Sequence, residues 1–498
     1  MLRPRLSVAA LLSATAATLA LAGCTVGPDY RKPPVSTPAA FKEAAGWKIG
    51  QPNDAAERGP WWSIYNDPVL DALEKQVEVA NQTLKADEAA YRQARAIVAE
   101  ARAGYWPTVT AGGSFTRSGG GGGRAGGAAG ASSGVGPINE YDLNLASATW
   151  ELDVWGRIRR TVESNVASAQ ASAGDLAAAR LSAQTTLASD YFSLRISDEL
   201  QRLLDSTVDA FQKSLQITRN RYAAGVAART DVVDAQAQLE TTRSQAIAVG
   251  IQRAQFEHAI AVLIGKAPAD FAIAPVRLQT AVPEIPPGLP SALLERRPDI
   301  AAAERRMAAA NAEIGVAIAA YYPDLTLSAS YGFASTALST LLKSASQIWA
   351  LGPALSGTLI DGGLRSAEVA AARAGYDQTI ANYRQTVLTG FQQVEDQLAT
   401  LRILMQQAKV EEVAVRDAEE AERLTLNQYK AGTVAYTSVI TAQTAALSNE
   451  QSALGILQNR LTASVTLIGA LGGGWNAGQL PTEDQVEHGA KPERTSGK

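Results

Sequence analysis

Few residues in this chain could make or break a covalent bond. There is one cysteine, Cys24, and there are two histidines, His258 and His488, far apart in sequence. A lone thiol excludes an intramolecular disulfide, and two separated histidines give no support to a Cys/His metal site. No Ser, His and Asp set reads as a nucleophilic triad. The 49 acidic residues sit largely at helical spacing, where a solvated face is the default reading, and the 45 basic residues leave a net charge of −4. That balance gives no electrostatic case for nucleic acid. The residues predict neither an enzyme nor a cofactor or metal site.

The informative spacing occurs twice. Arg221-Tyr222-Ala223-Ala224-Gly225-Val226 is followed by Thr230, Asp231, Val232, Asp234 and Gln236. Gln428-Tyr429-Lys430-Ala431-Gly432-Thr433 is followed by Thr437, Ser438, Val439, Thr441 and Gln443, 207 residues later throughout. In each copy a long Ala-rich helical run ends at a glycine, the residue that takes positive φ without strain. Another run begins a few residues on, with Thr230 and Thr437 as the expected N-caps. Each copy therefore predicts the tip of a long helical hairpin. Asp231 and Asp234 have two readings: acids offsetting the macrodipole of a helix first turn, or functional carboxylates at the tip.

Further landmarks repeat in the same order. Tyr105-Trp106-Pro107 matches Tyr321-Tyr322-Pro323, Asp153 to Arg157 matches Asp361 to Arg365, and Leu263-Ile264-Gly265 matches Leu467-Ile468-Gly469. The chain thus reads as an internal duplication, much longer than a solenoid repeat. The boundaries expected are a signal peptide over 1–23, an extended anchored arm over 24–60, a first repeat over 61–270, a linker over 271–290, a second repeat over 291–475 and a polar, disordered tail over 476–498. Asp67 to Gly104 reads as a helical run with Leu70, Leu73, Val77 and Leu84 on one stripe. A proline-free helical run from about Val154 to Arg219 would extend about 100 Å. Leu204, Val208, Phe211, Leu215, Thr218 and Tyr222 follow the 4, 3 spacing of a coiled-coil seam, as do Phe391, Val394, Leu398, Leu401 and Met405.

Between the helices the period changes to two. Val109, Ala111, Gly113 and Phe115 alternate with threonines and Ser114, and Tyr141, Leu143 and Leu145 alternate with Asp142 and Asn144. Leu325 to Phe333 and Trp349 to Leu359 supply two more half-buried strands, the last interrupted by Pro353. The Gly-rich loop 118–136 has no GK[ST] sequence after it and is not a phosphate-binding loop. Strands of about ten residues suit a transmembrane β-barrel. Four cannot close one, because an open edge in lipid leaves backbone groups unsatisfied. Either other copies of the chain complete them, or they do not lie in a membrane.

At the N-terminus, Arg3 and Arg5 precede an apolar run from Leu6 to Leu21, which ends at Leu21-Ala22-Gly23-Cys24. This resembles the bacterial lipobox, which implies cleavage before Cys24 and its lipidation, palmitate included. Thr25 in place of Asp is similar to the outer-membrane sorting choice of lipoproteins.

Taken together, the lipobox with Gly27-Pro28-Asp29-Tyr30, Trp61-Trp62, Trp150 to Asp153 with Trp155-Gly156-Arg157, Arg296-Arg297-Pro298-Asp299-Ile300, Tyr322-Pro323, Leu351-Gly352-Pro353, Asp361-Gly362-Gly363 and both tip motifs resemble the TolC-like outer-membrane efflux protein family, in its lipoprotein branch. The resemblance covers about 24–475. It implies a mixed α and β membrane protein. A homotrimer would form a 12-stranded outer-membrane β-barrel, four strands per chain, continuous with a long periplasmic α-helical barrel. It implies a passive exit duct for drugs or other small molecules, fed by an inner-membrane pump of the RND type through a periplasmic adaptor. Gly225, Val226, Gly432 and Thr433 would then dock the adaptor, and Arg296 to Asp299 would start a helix at the equator. The family often lines its closed aperture with carboxylates from the second tip. The matching positions here are Ser438 and Thr441, so Asp231 and Asp234 of the first tip stand as either aperture or helix-cap residues. Two alternatives stay open: the outer-membrane duct of a protein secretion system, and a lipid-anchored periplasmic coiled-coil interaction protein.

Overall fold

The computed structural model describes residues 25–44, 60–119, 137–283, 285 and 292–488. In chain order the elements are α1 (Pro68–Ala80), α2 (Gln82–Ala103), β1 (Thr108–Ser118), β2 (Ile138–Leu152), α3 (Arg157–Ala223), α4 (Arg229–Leu263), α5 (Leu293–Arg296), α6 (Pro298–Ala319), β3 (Asp324–Ser335), β4 (Gln347–Ser356), α7 (Leu364–Ala431), α8 (Tyr436–Ala470) and α9 (Glu483–His488). Cys24 and most of the Gly-rich loop 118–136 lie outside the described residues.

Two hairpins, α3/α4 and α7/α8, dominate the chain. Helices α4 and α8 each have 35 residues, and their bounds coincide at the tip offset of 207. Helices α2 and α6 each have 22 residues and coincide at 216. The offset is therefore constant within each helical block. This corrects the pairing of Leu263-Ile264-Gly265 with Leu467-Ile468-Gly469. Gly265 instead corresponds to Gly472: both have positive φ, and both donate three residues back, to Val262 O and Gly469 O.

Helix α3 is nearly twice the length of α4, so its upper half must find other neighbours. It packs there against α2 and α6. Helix α2 begins where α4 ends, and α6 begins where α8 ends. Asn81 Nδ2 donates to the carbonyl of Leu263 at 2.8 Å, satisfying an orphan acceptor at the end of α4, while its Oδ1 caps Leu84 N. Arg297 plays the equivalent part, donating to Ala470 O at 3.0 Å. The single helical run expected over 67–104 is thus broken at Asn81, whose extended backbone lets the side chain serve both helices. Pro298 takes the first position of α6, where a missing N–H costs nothing.

The core lies at this equator. Leu70, Leu73, Val77 and Leu84 pack with Leu187, Tyr191, Phe192, Ile260 and Val465. A second core joins Phe41, Ile300, Met307, Tyr383, Val387 and Val394. The Arg195–Asp198–Arg253 network pins the linker: Arg195 donates to Ala274 O, and Arg253 to Ile273 O. The coiled-coil seams are buried at Leu204, Phe211, Leu215 and Thr218, and at Phe391, Val394, Leu398 and Leu401. Tyr222 and Met405, at their lower ends, are exposed.

Three further expectations are corrected. Thr230 and Thr437 are not N-caps; each is the second residue of its helix, and the caps are Ala228 and Ala435 without side-chain bonds. The tail is not disordered from 476: α9 packs on α2 and α3, with Val486 only 2% exposed among Val98, Ile158, Val162 and Val166. One apolar residue and the bonds from Arg95 and Arg102 to the carbonyls of Val486 and Glu487 suffice to dock it. Strand β2 runs seven residues beyond Leu145, which is the extra residue of a bulge between two in-register ladders.

Candidate functional site: the strand wall and the hairpin tips

The four strands form one antiparallel sheet in the order β1-β2-β3-β4. Cross-strand partners show how its two faces are built. Val109 lies opposite Ala148, Phe115 opposite Tyr141, and Leu143 opposite both Gly113 and Phe333. Trp150 lies opposite Leu327, Tyr331 opposite Trp349, Ala329 opposite Leu351, and Leu325 opposite Leu355. Directly opposed residues share a face, so these pairs make one continuous apolar surface. The other face carries Thr108, Thr110, Ser147, Thr149, Thr326, Ser328 and Ser330. Pro353 lies on β4, an edge strand of the sheet within one chain.

The apolar face is uncovered. Trp349 is 75% exposed, and Val109, Phe115, Leu351 and Leu355 are also exposed. Aromatic residues sit at both ends: Trp106, Trp150, Trp155, Tyr321 and Tyr322 near the helices, and Phe115, Tyr141, Tyr331, Phe333 and Trp349 at the far end. An apolar band flanked by aromatic girdles is the chemistry of a lipid-facing barrel wall. Among the described residues no helix is long and apolar enough to cross a membrane.

The arm that follows Cys24 starts at this boundary. Val26 N donates to Trp155 O, Trp155 stacks on Tyr322 at 4.7 Å, and Arg160 holds the carbonyls of Val26 and Gly27 and the Asp29 carboxylate. The arm then descends along α6 and α7, with Tyr30 bonded to Glu304, and with Lys42 N and Glu43 N bonded to Glu395.

At the opposite pole the two tips are built alike. Gly225 (φ 73°) donates to Tyr222 O and Val226 to Arg221 O; Gly432 (φ 82°) donates to Tyr429 O and Thr433 to Gln428 O. This is the Schellman pattern, twice, at the same offset. Gly225, Val226, Gly432 and Thr433 are all exposed. Asp231 stands half-buried in the first turn of α4, and Asp234, Ser438 and Thr441 are exposed. Thr441 bonds back to Thr437 O at 3.0 Å.

The tips lie side by side, and the residues that join them escaped the sequence reading. Arg221 donates to Lys430 O at 2.9 Å and stacks on Tyr429 at 4.8 Å. Tyr429 packs on Tyr436 at 5.1 Å, and the Tyr436 hydroxyl lies 3.1 Å from Ser214. A signal existed: the copies differ at Arg221/Gln428 and Arg229/Tyr436, where duplicated helices have taken unequal neighbours.

Among the described residues no group of three His, Cys, Asp or Glu side chains could hold a metal. His258 is exposed on α4, and His488 lies 3.1 Å from Asp484. The site is a wall and a set of surfaces, with no reaction centre among the features described.

The outer membrane efflux protein family model matches residues 73–266 and 289–473. The chain is 30% identical over 483 residues to a probable efflux pump outer membrane protein, TtgC of Pseudomonas putida, covering 96% of this chain and 98% of that protein. It is also 30% identical over 481 residues to the outer membrane protein OprJ of Pseudomonas aeruginosa, covering 96% and 98%. Its fold matches the solved outer-membrane channel OprN with a TM-score of 0.83 at 30% identity, covering 91% of this chain and all of that one.

Proposed function

The chain belongs to the outer membrane efflux protein family, and from that premise we propose that three copies close the four-stranded sheet into a 12-stranded barrel. It is an outer-membrane efflux channel that extends into the periplasm, and it is not an enzyme. The observation that carries the assembly is the sheet itself. Its outer face is apolar, its other face is polar, and β1 and β4 are free edges that lipid cannot satisfy. Twelve strands then enclose a polar lumen, and the hairpins below form a helical barrel of similar girth.

Transport through the duct is passive. The drug or other small-molecule cargo is expelled by an inner-membrane pump of the RND type, and a periplasmic adaptor docks on Gly225, Val226, Gly432 and Thr433. Their exposure and the backbone regularity of both tips support that role. Residues 1–23 act as a signal peptide and Cys24 carries the lipid, palmitate included. The start of the arm beside Trp155, at the apolar band, supports that placement. We assign Asp231 to the macrodipole of the α4 first turn, Asp234, beyond that turn, to the exposed tip surface, and Ser438 and Thr441 to the aperture wall. A secretion duct or a coiled-coil interaction protein gains no specific observation here.

The test is the native mass of the lipidated protein in mild detergent, followed by single-channel conductance in a planar bilayer. A trimer that conducts is expected. A stable monomer would overturn the channel assembly.

A further inference from the structure

Within the chain, α3 of the first hairpin packs against α8 of the second. Ser214 meets the Tyr436 hydroxyl, Phe211 and Leu215 cluster with Tyr436 and Val439, and Leu203 and Leu204 cluster with Leu447. Because the hairpins superpose at a constant offset of 207, this seam has an image: α7 of one copy against α4 of another. Of that image, Arg229 and Glu240 are uncovered here, while Val232, Glu411 and Glu422 are half-buried. Val410, the counterpart of Leu203, is 71% exposed, and Val233, Ile247 and Ile251 of α4 are exposed too. A groove of about 490 Å³ runs along α4, lined by Arg219, Tyr222, Arg229, Val232, Val233 and Gln236.

The image is not a plain copy. Leu215 becomes Glu422, and Tyr436 becomes Arg229. Glu422 is half-buried on α7, where burial and the neighbouring Glu419 carboxylate raise its pKa against a hydrogen bond with Gln443 that lowers it. Arg229 is exposed at the first position of α4, where the helix macrodipole disfavours a cation. Each residue is poorly placed in the single chain, and each would be relieved by the other.

We propose that Glu422 of one copy pairs with Arg229 of the next. An apolar and aromatic contact inside the chain is thereby replaced by an ion pair between chains. The inference rests on the trimeric reading and adds its register: a head-to-tail interface that closes a ring.

The test uses full-length protein in detergent. Glu422→Arg and Arg229→Glu are each expected to lower the trimer-to-monomer ratio at a fixed dissociating temperature about tenfold, and the double reversal to restore it to within about twofold. With the Cys24 thiol blocked by its lipid, Glu422→Cys with Arg229→Cys should give dimers and trimers with a short bismaleimide. Ser214→Cys with Tyr436→Cys should link only within the chain. A wild-type monomer would sink the trimeric reading and this inference with it. A wild-type trimer indifferent to both single reversals, with no intermolecular linkage of the Glu422→Cys/Arg229→Cys pair, would overturn the seam alone.

Discussion

Single residues decide whether the equator holds. Glu74 lies on the buried stripe of α1 beside Leu70, Leu73 and Val77, with both carboxylate oxygens unpaired among the described residues. Burial, reinforced by the Glu78 charge, pushes its pKa up to about 9. The folded state therefore keeps a proton that the unfolded chain releases from the ordinary value of 4.5 upward. Stability falls as pH rises between those two values and is flat outside them. Glu74→Gln should remove that contribution, seen as a shallower fall of melting temperature with pH across this window, with Asp190 and Glu450, also raised by burial, keeping the remainder. Arg297 works in the opposite sense. Arg297→Ala strips the Ala470 carbonyl of its donor and leaves Asp299 without its ion-pair partner. A loss of about 1–3 kcal/mol is expected, measurable by denaturant unfolding. Tyr191 adds a third fastening, donating to the Asp67 N-cap while accepting from Arg195. Through these residues the short helices above the equator are held to the long ones below it.

At the scale of elements, the hairpin turns and their cross-link set the geometry of the periplasmic end. Gly432→Val forces a β-branched residue into positive φ, at about 1–2 kcal/mol. The α7–α8 turn should fray, and drug resistance conferred on an efflux-deficient host should fall while the amount of protein in the outer membrane stays the same. Arg221→Ala removes the bond to Lys430 and the stacking on Tyr429 but leaves both turns intact. Faster hydrogen exchange at residues 221–236 and 428–443 is expected, with a larger single-channel conductance if the paired tips restrict the opening. The α9 segment shows how little is needed to dock an element: Val486 fills a gap between α2 and α3, and two arginines cap its carbonyls.

For the whole molecule, the two faces of the sheet predict opposite outcomes from one chemical change. Leu351→Arg puts a charge on the apolar face and should cost about 2–4 kcal/mol near the bilayer midplane, read as loss of folded protein from the outer membrane. Ser328→Arg lies on the polar face, so assembly should survive while ion selectivity shifts toward anions in a planar bilayer. The duplication also explains where the chain is unfinished. Strand β2 pairs with β3 as far as Leu152, whose counterpart is Ile360, yet β4 stops at Ser356. Leu359 and Ile360 are 95% and 91% exposed. In the proposed trimer, a neighbouring β1 would supply the partner that extends β4 to its full length.

By itself the sequence determined the duplication, the hairpins, the strand pairs and the absence of a reaction centre. Each is written in local terms: a 4, 3 seam from Leu204 to Tyr222, alternation from Leu325 to Phe333, and a glycine at each hairpin tip, where the chain needs positive φ. Family membership was legible in the same way, from the ordered set of short motifs. Tertiary structure alone decided the rest. Asn81 breaks a helix because its side chain finds the carbonyl of Leu263, 182 residues away. Val486 anchors a tail that reads as polar, because its partners come from α2 and α3. Arg221 joins the tips through a carbonyl 209 residues distant. Periodicity shows which face of an element is buried; it cannot show what covers that face, because the covering residues are brought together only when the chain folds.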